Sequence, residues 1–175
     1  HVVYNAMPPV TESMPEDKMQ IRQHLGWDER PVIFTAARLT PWKGIDHLIS
    51  AVHRLPDVRL VVAGDGQEMA RLRLLARPLG QRVQLLGRIP REDVYRYMKA
   101  ADFFALYSGY EGLPHTVLEA LRVGTPIIAS DKGGNPEVVQ DGVNGVLVPY
   151  VDVDALVAHI ERAITLQTDL AANTH

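Results

Sequence analysis

Six short apolar segments alternate with helix-length amphipathic segments along this chain of 175 residues. Several of the apolar segments are continuous rather than alternating, as expected of strands that are covered on both faces of a parallel sheet. Repeated strand–helix alternation favours an α/β fold with a doubly wound sheet and right-handed crossovers. The predicted strands are residues 31–37, 58–64, 82–87, 102–107, 125–130 and 144–149.

Helices are predicted where apolar residues recur at three- and four-residue spacing between the strands. A capping box in Ser-Met-Pro-Glu at residues 13–16 predicts a first helix that runs to about Leu25 and ends at Gly26. Asp152 or Asp154 is predicted to cap the last helix. The other predicted helices span residues 44–55, 68–79, 93–101, 116–123, 135–139 and 154–166.

The composition excludes several classes of protein. Hydrophobic residues make up 46% and charged residues 22% of the chain, which is ordinary for one globular domain and argues against disorder. The formal net charge of −3 gives no whole-chain attraction to nucleic acid. The absence of cysteine excludes disulfides and thiolate metal sites. No run approaches the about 18 apolar residues of a membrane span.

Basic residues gather between Arg71 and Lys99, with few acidic residues among them. The favoured interpretation is a set of solvated helix faces. The alternative is a surface that contacts an anionic partner.

Residues directly after the strands are the candidate site, because ligands of a doubly wound sheet bind outside the carboxyl ends of its strands. After the first strand, Arg38 and Lys43 flank a turn that holds Pro41, and Gly44 then opens a helix. Two cations beside the free N–H groups of a helix start suit a phosphate or a diphosphate. The alternative is a surface loop with two solvated bases.

Two further loops follow the second and third strands. Gly64 begins a Gly-x-Gly turn that lacks the third glycine of the dinucleotide fingerprint, so a nicotinamide-dependent dehydrogenase is disfavoured and a tight turn lining the cleft is predicted. Arg88 and Ile89 precede Pro90 in an extended segment, where backbone groups and a stacking guanidinium can meet a flat base. The same residues could equally form a plain loop.

The loop after the fourth strand holds Glu111, followed by Gly112 and Leu113, whose amides lie at the start of the next helix. Glu119 lies eight residues beyond Glu111. Glu119 is either a solvated residue with Arg122 as its i,i+3 partner or a carboxylate that accepts hydrogen bonds from ribose hydroxyls. We favour the second interpretation, because two carboxylates spaced along one edge suit a long ligand such as a sugar nucleotide.

Six segments together resemble the C-terminal half of the retaining glycosyltransferases of family 4. They are ARLTPWKG (37–44), AGDG (63–66), LGRIP (86–90), EGLPHTVLEA (111–120), GGNPE (133–137) and DGVNGVLV (141–148). The resemblance extends from about residue 2 to residue 166. It implies one half of a GT-B fold, which is a Rossmann-like domain that holds most of the sugar-nucleotide donor.

The resemblance also implies roles for individual residues. Arg38 and Lys43 would bind the donor diphosphate, and Glu111 would contact the donor sugar, so these three would be the catalytic residues. Glu119 would hold the ribose hydroxyls. The remaining donor-binding residues would be Gly64, Arg88 and Ile89 near the nucleotide and Gly112, Leu113 and Pro114 near the sugar and phosphates, with Pro114 offering no N–H.

The implied reaction is transfer of a hexosyl group from a UDP-, GDP- or ADP-sugar with retained anomeric configuration. It needs neither a metal nor a further cofactor. We expect one domain over residues 1–175, with residues 1–12 as the remnant of an interdomain linker and residues 168–175 as a disordered tail. The acceptor, a sugar or a glycolipid, would bind a separate N-terminal domain, so the isolated chain is expected to be inactive.

The parent enzyme is expected in the cytoplasm, with peripheral association at the inner face of the membrane as a further expectation. Two alternatives stay open at this stage. One is a non-catalytic sugar-nucleotide-binding module that acts with a separate subunit. The other is a GT-B-fold epimerase, which would need acid–base residues in the cleft; His115 is the histidine near the predicted site, and we interpret it as a helix-face residue.

Overall fold

A parallel β-sheet forms the centre of the computed structural model, which describes residues 16–172, with side chains described through residue 167. The strands are β1 (Val32–Ala36), β2 (Arg59–Ala63), β3 (Val83–Gly87), β4 (Phe103–Leu106), β5 (Ile127–Ser130) and β6 (Gly145–Val148). Their order is β3-β2-β1-β4-β5-β6, and every pairing is parallel. The strand order therefore reverses between β1 and β4, which confirms the predicted doubly wound sheet.

Helices connect the strands. They are α1 (Lys18–His24), α2 (Ile45–Arg54), α3 (Met69–Ala76), α4 (Arg91–Ala100), α5 (His115–Arg122), α6 (Asn135–Val138) and α7 (Val153–Ala172). Two 3₁₀ segments, Pro41–Lys43 and Arg77–Arg82, precede α2 and follow α3. All the helices predicted after residue 26 are confirmed as elements, with shifted ends.

The sheet is buried on both faces. Successive residues of a strand point to opposite faces, so Ile33 and Phe34 of β1 pack into different layers. Ile33 packs with residues of α2, α3 and α7, such as Leu48 and Ile160. Phe34 packs with residues of α1, α4 and α5, such as Met98. The predicted placement of helices on both faces is therefore confirmed, and it explains why the strands read as continuous apolar runs.

The first helix begins later than predicted. Asp17 is the N-cap of α1, and it forms a capping box in which its carboxylate accepts from the Gln20 N–H at 2.8 Å while the Gln20 side chain accepts from the Asp17 N–H at 2.9 Å. The serine of the capping box predicted at residues 13–16 lies outside the described residues. Asp17 and Gln20 have the spacing of a capping box, so this start of the helix could have been predicted from the sequence.

Two other helix ends differ from the prediction. The α-helix α3 stops at Ala76 rather than at Leu79, because Pro78 has no N–H to donate to the carbonyl four residues earlier. At the other end of the chain, α7 continues to Ala172. Residues 168–172 are therefore helical and not part of a disordered tail, since this stretch holds good helix formers and neither Gly nor Pro. Asp152, not Asp154, caps this helix by accepting from the Ala155 N–H at 2.8 Å.

A charged cluster fastens α1 to the amino end of the sheet. The Asp102 carboxylate, which directly precedes β4, accepts from Lys18 Nζ at 2.6 Å, from Arg22 Nη1 at 2.9 Å and from the Val32 N–H at 2.8 Å. The Arg22 side chain is only 8% exposed. One carboxylate therefore satisfies a buried guanidinium and the first N–H of β1 together.

Replacing Asp102 with alanine should lower the free energy of unfolding by about 3 kcal/mol, because it leaves a buried arginine without its counter-charge. Urea denaturation followed by circular dichroism measures the change. The control is Asp154→Ala, which removes an ion pair to Arg54 whose aspartate is 87% exposed and should cost about 1 kcal/mol or less. Equal losses in the two variants would contradict the proposed role of Asp102.

Candidate functional site

A cleft of about 790 Å³ lies at the carboxyl ends of β1, β2 and β3. Four of the predicted donor-binding residues line it: Arg38, Gly64, Arg88 and Ile89. Arg38 and Arg88 are exposed. The Arg88 side chain is 87% exposed, and its Nε lies 3.8 Å from Oδ2 of Asp65. The other lining residues are Ala36, Ala37, Ala63, Asp65, Gly66 and Val94.

The floor of this cleft depends on the backbone conformation of Gly64. This residue has φ of +126°, and a Cβ placed on it would lie 1.9 Å from the Ala37 carbonyl oxygen. Its N–H donates to the Gly87 carbonyl at 2.7 Å, just beyond the point where the β2–β3 pairing shifts register. Gly64 lines the cleft, as predicted, but the segment after it runs beside residues 37–39 rather than folding into a tight turn. The glycine is required by the approach of the Ala37 backbone.

A second group of predicted residues meets beside β4. Lys43, at the end of the 3₁₀ segment before α2, donates from Nζ to Glu111 Oε1. Their side chains are 19% and 14% exposed, respectively. Ser108 Oγ donates to the same carboxylate oxygen at 2.7 Å. Lys43 and Glu111 are thus brought together. Ser108 is a partner that the sequence reasoning missed, although its position directly after the predicted strand 102–107 was a signal.

Buried polar side chains continue beneath Glu111. The Ser108 carbonyl accepts a hydrogen bond from Ser130 Oγ, and that hydroxyl oxygen accepts from Asn135 Nδ2 at 3.1 Å. All three residues are fully buried. Losing one of these hydrogen bonds would leave a further buried polar group unpaired, so the network favours one arrangement. Oδ1 of Asn135 has no hydrogen-bond partner among the described residues. The Glu111 loop is therefore tied to β5 and α6.

The Gly133–Gly134 turn supports the same loop from outside. Gly133 has φ of +60°, and a Cβ on it would lie 2.2 Å from the Glu111 carbonyl oxygen. The Gly134 N–H donates to that oxygen at 3.1 Å. These contacts give the glycine pair a structural role.

Glu119 is not a solvated residue, because its side chain is only 12% exposed. Its Oε1 accepts from Arg91 Nη2 at 2.6 Å and from the Tyr95 hydroxyl at 2.9 Å. Hydrogen bonds to the Tyr95 hydroxyl and then to Glu119 raise the pKa of Arg91 above its ordinary value. Sequence reasoning missed Arg91 and Tyr95, because they reach Glu119 through the packing of α4 on α5.

The residues between the two glutamates form the start of α5. Gly112 is exposed, Leu113 is half-buried, and Pro114 is buried at the N-cap position. The Pro114 carbonyl accepts from the N–H groups of residues 117 and 118. His115 is exposed in the first turn of the helix, as predicted for a helix-face residue.

The basic residues between Arg71 and Lys99 do not form one open cationic surface. Arg71 pairs with Asp46 and Glu68, and Arg96 pairs with Glu16. These local ion pairs favour the interpretation as helix faces.

No helix of residues 16–172 is both long and apolar enough to cross a bilayer. In that part of the chain, no three His, Asp or Glu side chains are grouped so that they could hold a metal ion.

A doubly wound sheet with a polar cleft and basic side chains at its carboxyl edge is the architecture of a Rossmann-like nucleotide-binding domain. Residues 17–174 match the model of the family described as glycosyl transferases group 1. The chain belongs to this family, which confirms the resemblance to glycosyltransferases, and its fold is that of one half of a GT-B glycosyltransferase.

Individual relatives agree with this assignment. The chain is 39% identical over 158 residues to the GDP-mannose-dependent monoacylated alpha-(1-6)-phosphatidylinositol monomannoside mannosyltransferase of Corynebacterium glutamicum, covering 83% of this chain and 41% of that protein. It is 41% identical over 147 residues to a D-inositol 3-phosphate glycosyltransferase of Mycobacterium sp. (strain KMS), covering 79% of this chain and 34% of that protein. The chain therefore spans less than half the length of these relatives.

Among solved structures, Anabaena Alr3699/HepE in complex with UDP-glucose superposes with a TM-score of 0.80 at 32% identity. The match covers 89% of this chain and 45% of that one. This chain therefore corresponds to a little under half of the HepE chain.

The Gly133 contact leads to a prediction about stability. Gly133→Ala should destabilise the protein by more than Gly142→Ala. Both residues have positive φ, +60° and +73°, but an added Cβ at Gly142 meets no atom within 4 Å. We expect about 1–2 kcal/mol for Gly142→Ala from backbone strain alone. The clash with the Glu111 carbonyl should add to that cost in Gly133→Ala, and chemical denaturation of both variants compares them; equal costs would contradict the prediction.

Proposed function

We propose that this chain binds the nucleoside-diphosphate sugar of a retaining, metal-independent glycosyltransferase that moves a hexosyl group to a sugar or lipid-linked acceptor. The observation that best supports this proposal is that Lys43 and Glu111 form an ion pair across the point where strand order reverses. They lie beside a cleft lined by Arg38. This places cations and a carboxylate where a doubly wound sheet binds its ligand.

The diphosphate is assigned to Arg38 and Lys43. An ammonium group has three N–H donors, so Lys43 can keep its bond to Glu111 while it donates to a phosphate oxygen. A guanidinium can bind a phosphate with two parallel hydrogen bonds. Charge builds up on the diphosphate as it leaves, and the two cations stabilise it in place of the divalent ion that other transferases use.

The other predicted residues divide between the two ends of the donor. Glu111, with the backbone at Gly112, Leu113 and Pro114, is assigned to the sugar, and Glu119 to the ribose hydroxyls. Gly64, Arg88 and Ile89 are assigned to the nucleotide end of the cleft. A UDP-, GDP- or ADP-sugar would satisfy these contacts, and relatives named above act with GDP-mannose or bind UDP-glucose.

In the proposed reaction, the bond between the anomeric carbon and the diphosphate oxygen breaks, and a bond to the acceptor hydroxyl oxygen forms with the same configuration. The hydroxyl proton passes to the leaving diphosphate. The two glutamates do not serve as the acid and nucleophile of a glycosidase. The acceptor is assigned to a further domain of the parent enzyme, which we place in the cytoplasm or at the inner face of its membrane. This chain alone should bind donor weakly without turnover.

Calorimetric titration with UDP, GDP and ADP tests the diphosphate assignment. We expect saturable binding of one of them by the wild-type chain. Arg38→Ala/Lys43→Ala should weaken that binding by at least tenfold, since charge-assisted hydrogen bonds contribute about 1.5–3 kcal/mol each.

The matched control for this titration is Arg73→Ala/Arg77→Ala, which removes the same charge from exposed residues that do not line the cleft. Its affinity should stay within about twofold of the wild type, because distant exposed charges are screened by salt. Equal loss in both double variants, or no saturable binding of any diphosphate by the wild type, would contradict the proposal.

Glu111→Gln should raise the affinity for the nucleoside diphosphate, whereas Arg38→Ala/Lys43→Ala should lower it. The substitution removes a negative charge beside the proposed phosphate position and releases Lys43, so binding should tighten roughly threefold, as expected for a partly exposed charge interaction. The same titration measures it. Weaker binding in Glu111→Gln would show that the carboxylate supports the cations more than it opposes the phosphates.

A further inference from the structure

Two residues of α4 hold the Glu119 carboxylate from one side. Arg91 and Tyr95 are four residues apart, so they lie on the same face of the helix. Both donate to Oε1 of Glu119, while Arg91 also donates to the Tyr95 hydroxyl oxygen from Nη2 at 3.0 Å. The Arg91 guanidinium carbon lies 5.6 Å from the centre of the Tyr95 ring. The three side chains therefore form a closed triangle of contacts.

This triangle uses only one of the two carboxylate oxygens. None of the described residues donates a hydrogen bond to Oε2 of Glu119. An ionised carboxylate accepts through both oxygens, and one that is largely removed from water needs partners for them. With Oε1 fixed from the α4 side, no residue within 16–167 competes with a ligand for Oε2.

The triangle also lies next to the cleft. Arg91 begins α4 directly after the Arg88–Ile89 segment that lines the cleft, and Val94 of the same helix is one of the lining residues. The first turn of α4 therefore joins the nucleotide end of the cleft to Glu119.

We propose that Arg91 and Tyr95 are positioning residues that fix the Glu119 carboxylate so that Oε2 accepts from a ribose hydroxyl, which gives this site its preference for ribonucleotides over deoxyribonucleotides. This inference rests on the proposed function, because it assumes that the ligand is a nucleoside diphosphate. A free glutamate side chain would have to lose several rotamers on binding, and the two donors remove that cost in advance.

The two donors contribute unequally. The guanidinium supplies a charge-assisted hydrogen bond and also holds the Tyr95 oxygen, so its loss frees Glu119 the most. The tyrosine hydroxyl supplies one neutral donor. Arg91 is 68% exposed, so its replacement removes little packing from the protein core.

The test measures how strongly the full chain discriminates against a missing ribose hydroxyl. Calorimetric titration is made with whichever of UDP, GDP and ADP the wild type binds best and with its 2′-deoxy and 3′-deoxy counterparts. At least one deoxy counterpart should bind about tenfold more weakly to the wild type, as expected for loss of a hydrogen bond to a charged acceptor. The ratio of the affinities for the ribose and deoxy forms does not change when a variant binds both forms more weakly to the same extent.

In the variants, the ratio should fall in a set order. Arg91→Ala should reduce it to about one to twofold and Tyr95→Phe to about threefold, while Arg91→Lys, which keeps a cationic donor, should retain most of it. Arg73→Ala, a matched exposed arginine of α3, should leave the ratio unchanged. Thermal unfolding is compared for all variants, and Tyr95→Phe, which loses only a hydroxyl, carries the test by itself if Arg91→Ala unfolds.

The outcomes separate this inference from the proposal on which it rests. Discrimination by the wild type that survives in both Arg91→Ala and Tyr95→Phe overturns the inference and leaves donor binding intact. Equal binding of ribose and deoxyribose forms by the wild type overturns it as well, since Glu119 then accepts from no ribose hydroxyl. No saturable binding of any nucleoside diphosphate overturns the proposed function and the inference together.

Discussion

The reversal of strand order between β1 and β4 is the constraint on which the rest of the site depends. These two central strands pair through Ile33 with Phe103 and Phe34 with Phe104, and their connections leave in opposite directions across the sheet. Two loops therefore separate at the carboxyl edge and leave a crevice. Lys43 follows β1 and Glu111 follows β4, so their ion pair spans this crevice. Residues 68 positions apart become neighbours because the topology brings them there.

Both candidate carboxylates are held by a cation from another element. Glu111 is held by Lys43 from the segment before α2, and Glu119 by Arg91 from α4. Each carboxylate is mostly covered, and an unpaired charge in that position would be expensive to desolvate. Each also receives a hydroxyl donor, from Ser108 or Tyr95, on the same oxygen that the cation uses. The shared arrangement fixes one oxygen of each carboxylate, and under the proposed function the other oxygen accepts from the ligand, which is the preorganisation that a binding site needs.

The strands and helices that local hydrophobic patterns encode could be predicted from the sequence. Continuous apolar runs indicated strands covered on both faces, and the strand-end rule placed Arg38, Lys43 and Glu111 at the ligand edge. It did not predict the partners of Glu119, because the contact between Arg91 and Glu119 depends on how α4 packs on α5 and not on any local spacing. Ser108, Ser130 and Asn135 were missed for the same reason, since their hydrogen bonds join three elements. Pro78 was a readable signal for the end of α3 that the periodicity of the neighbouring leucines concealed.

The two ends of the candidate site differ in how much order they already have. The Glu111 end stands on fully buried Ser108, Ser130 and Asn135, so its geometry is set before any ligand arrives. The nucleotide end presents Arg88 with 87% of its side chain exposed, and immobilising such a side chain costs about 0.5–1.5 kcal/mol. That cost is the same for every base, so it lowers affinity without changing selectivity. Stacking on a base is also tolerant of its identity, because every base has a π face. Under the proposed function, discrimination among uracil, guanine and adenine therefore falls to hydrogen bonds with the backbone groups around Ile89.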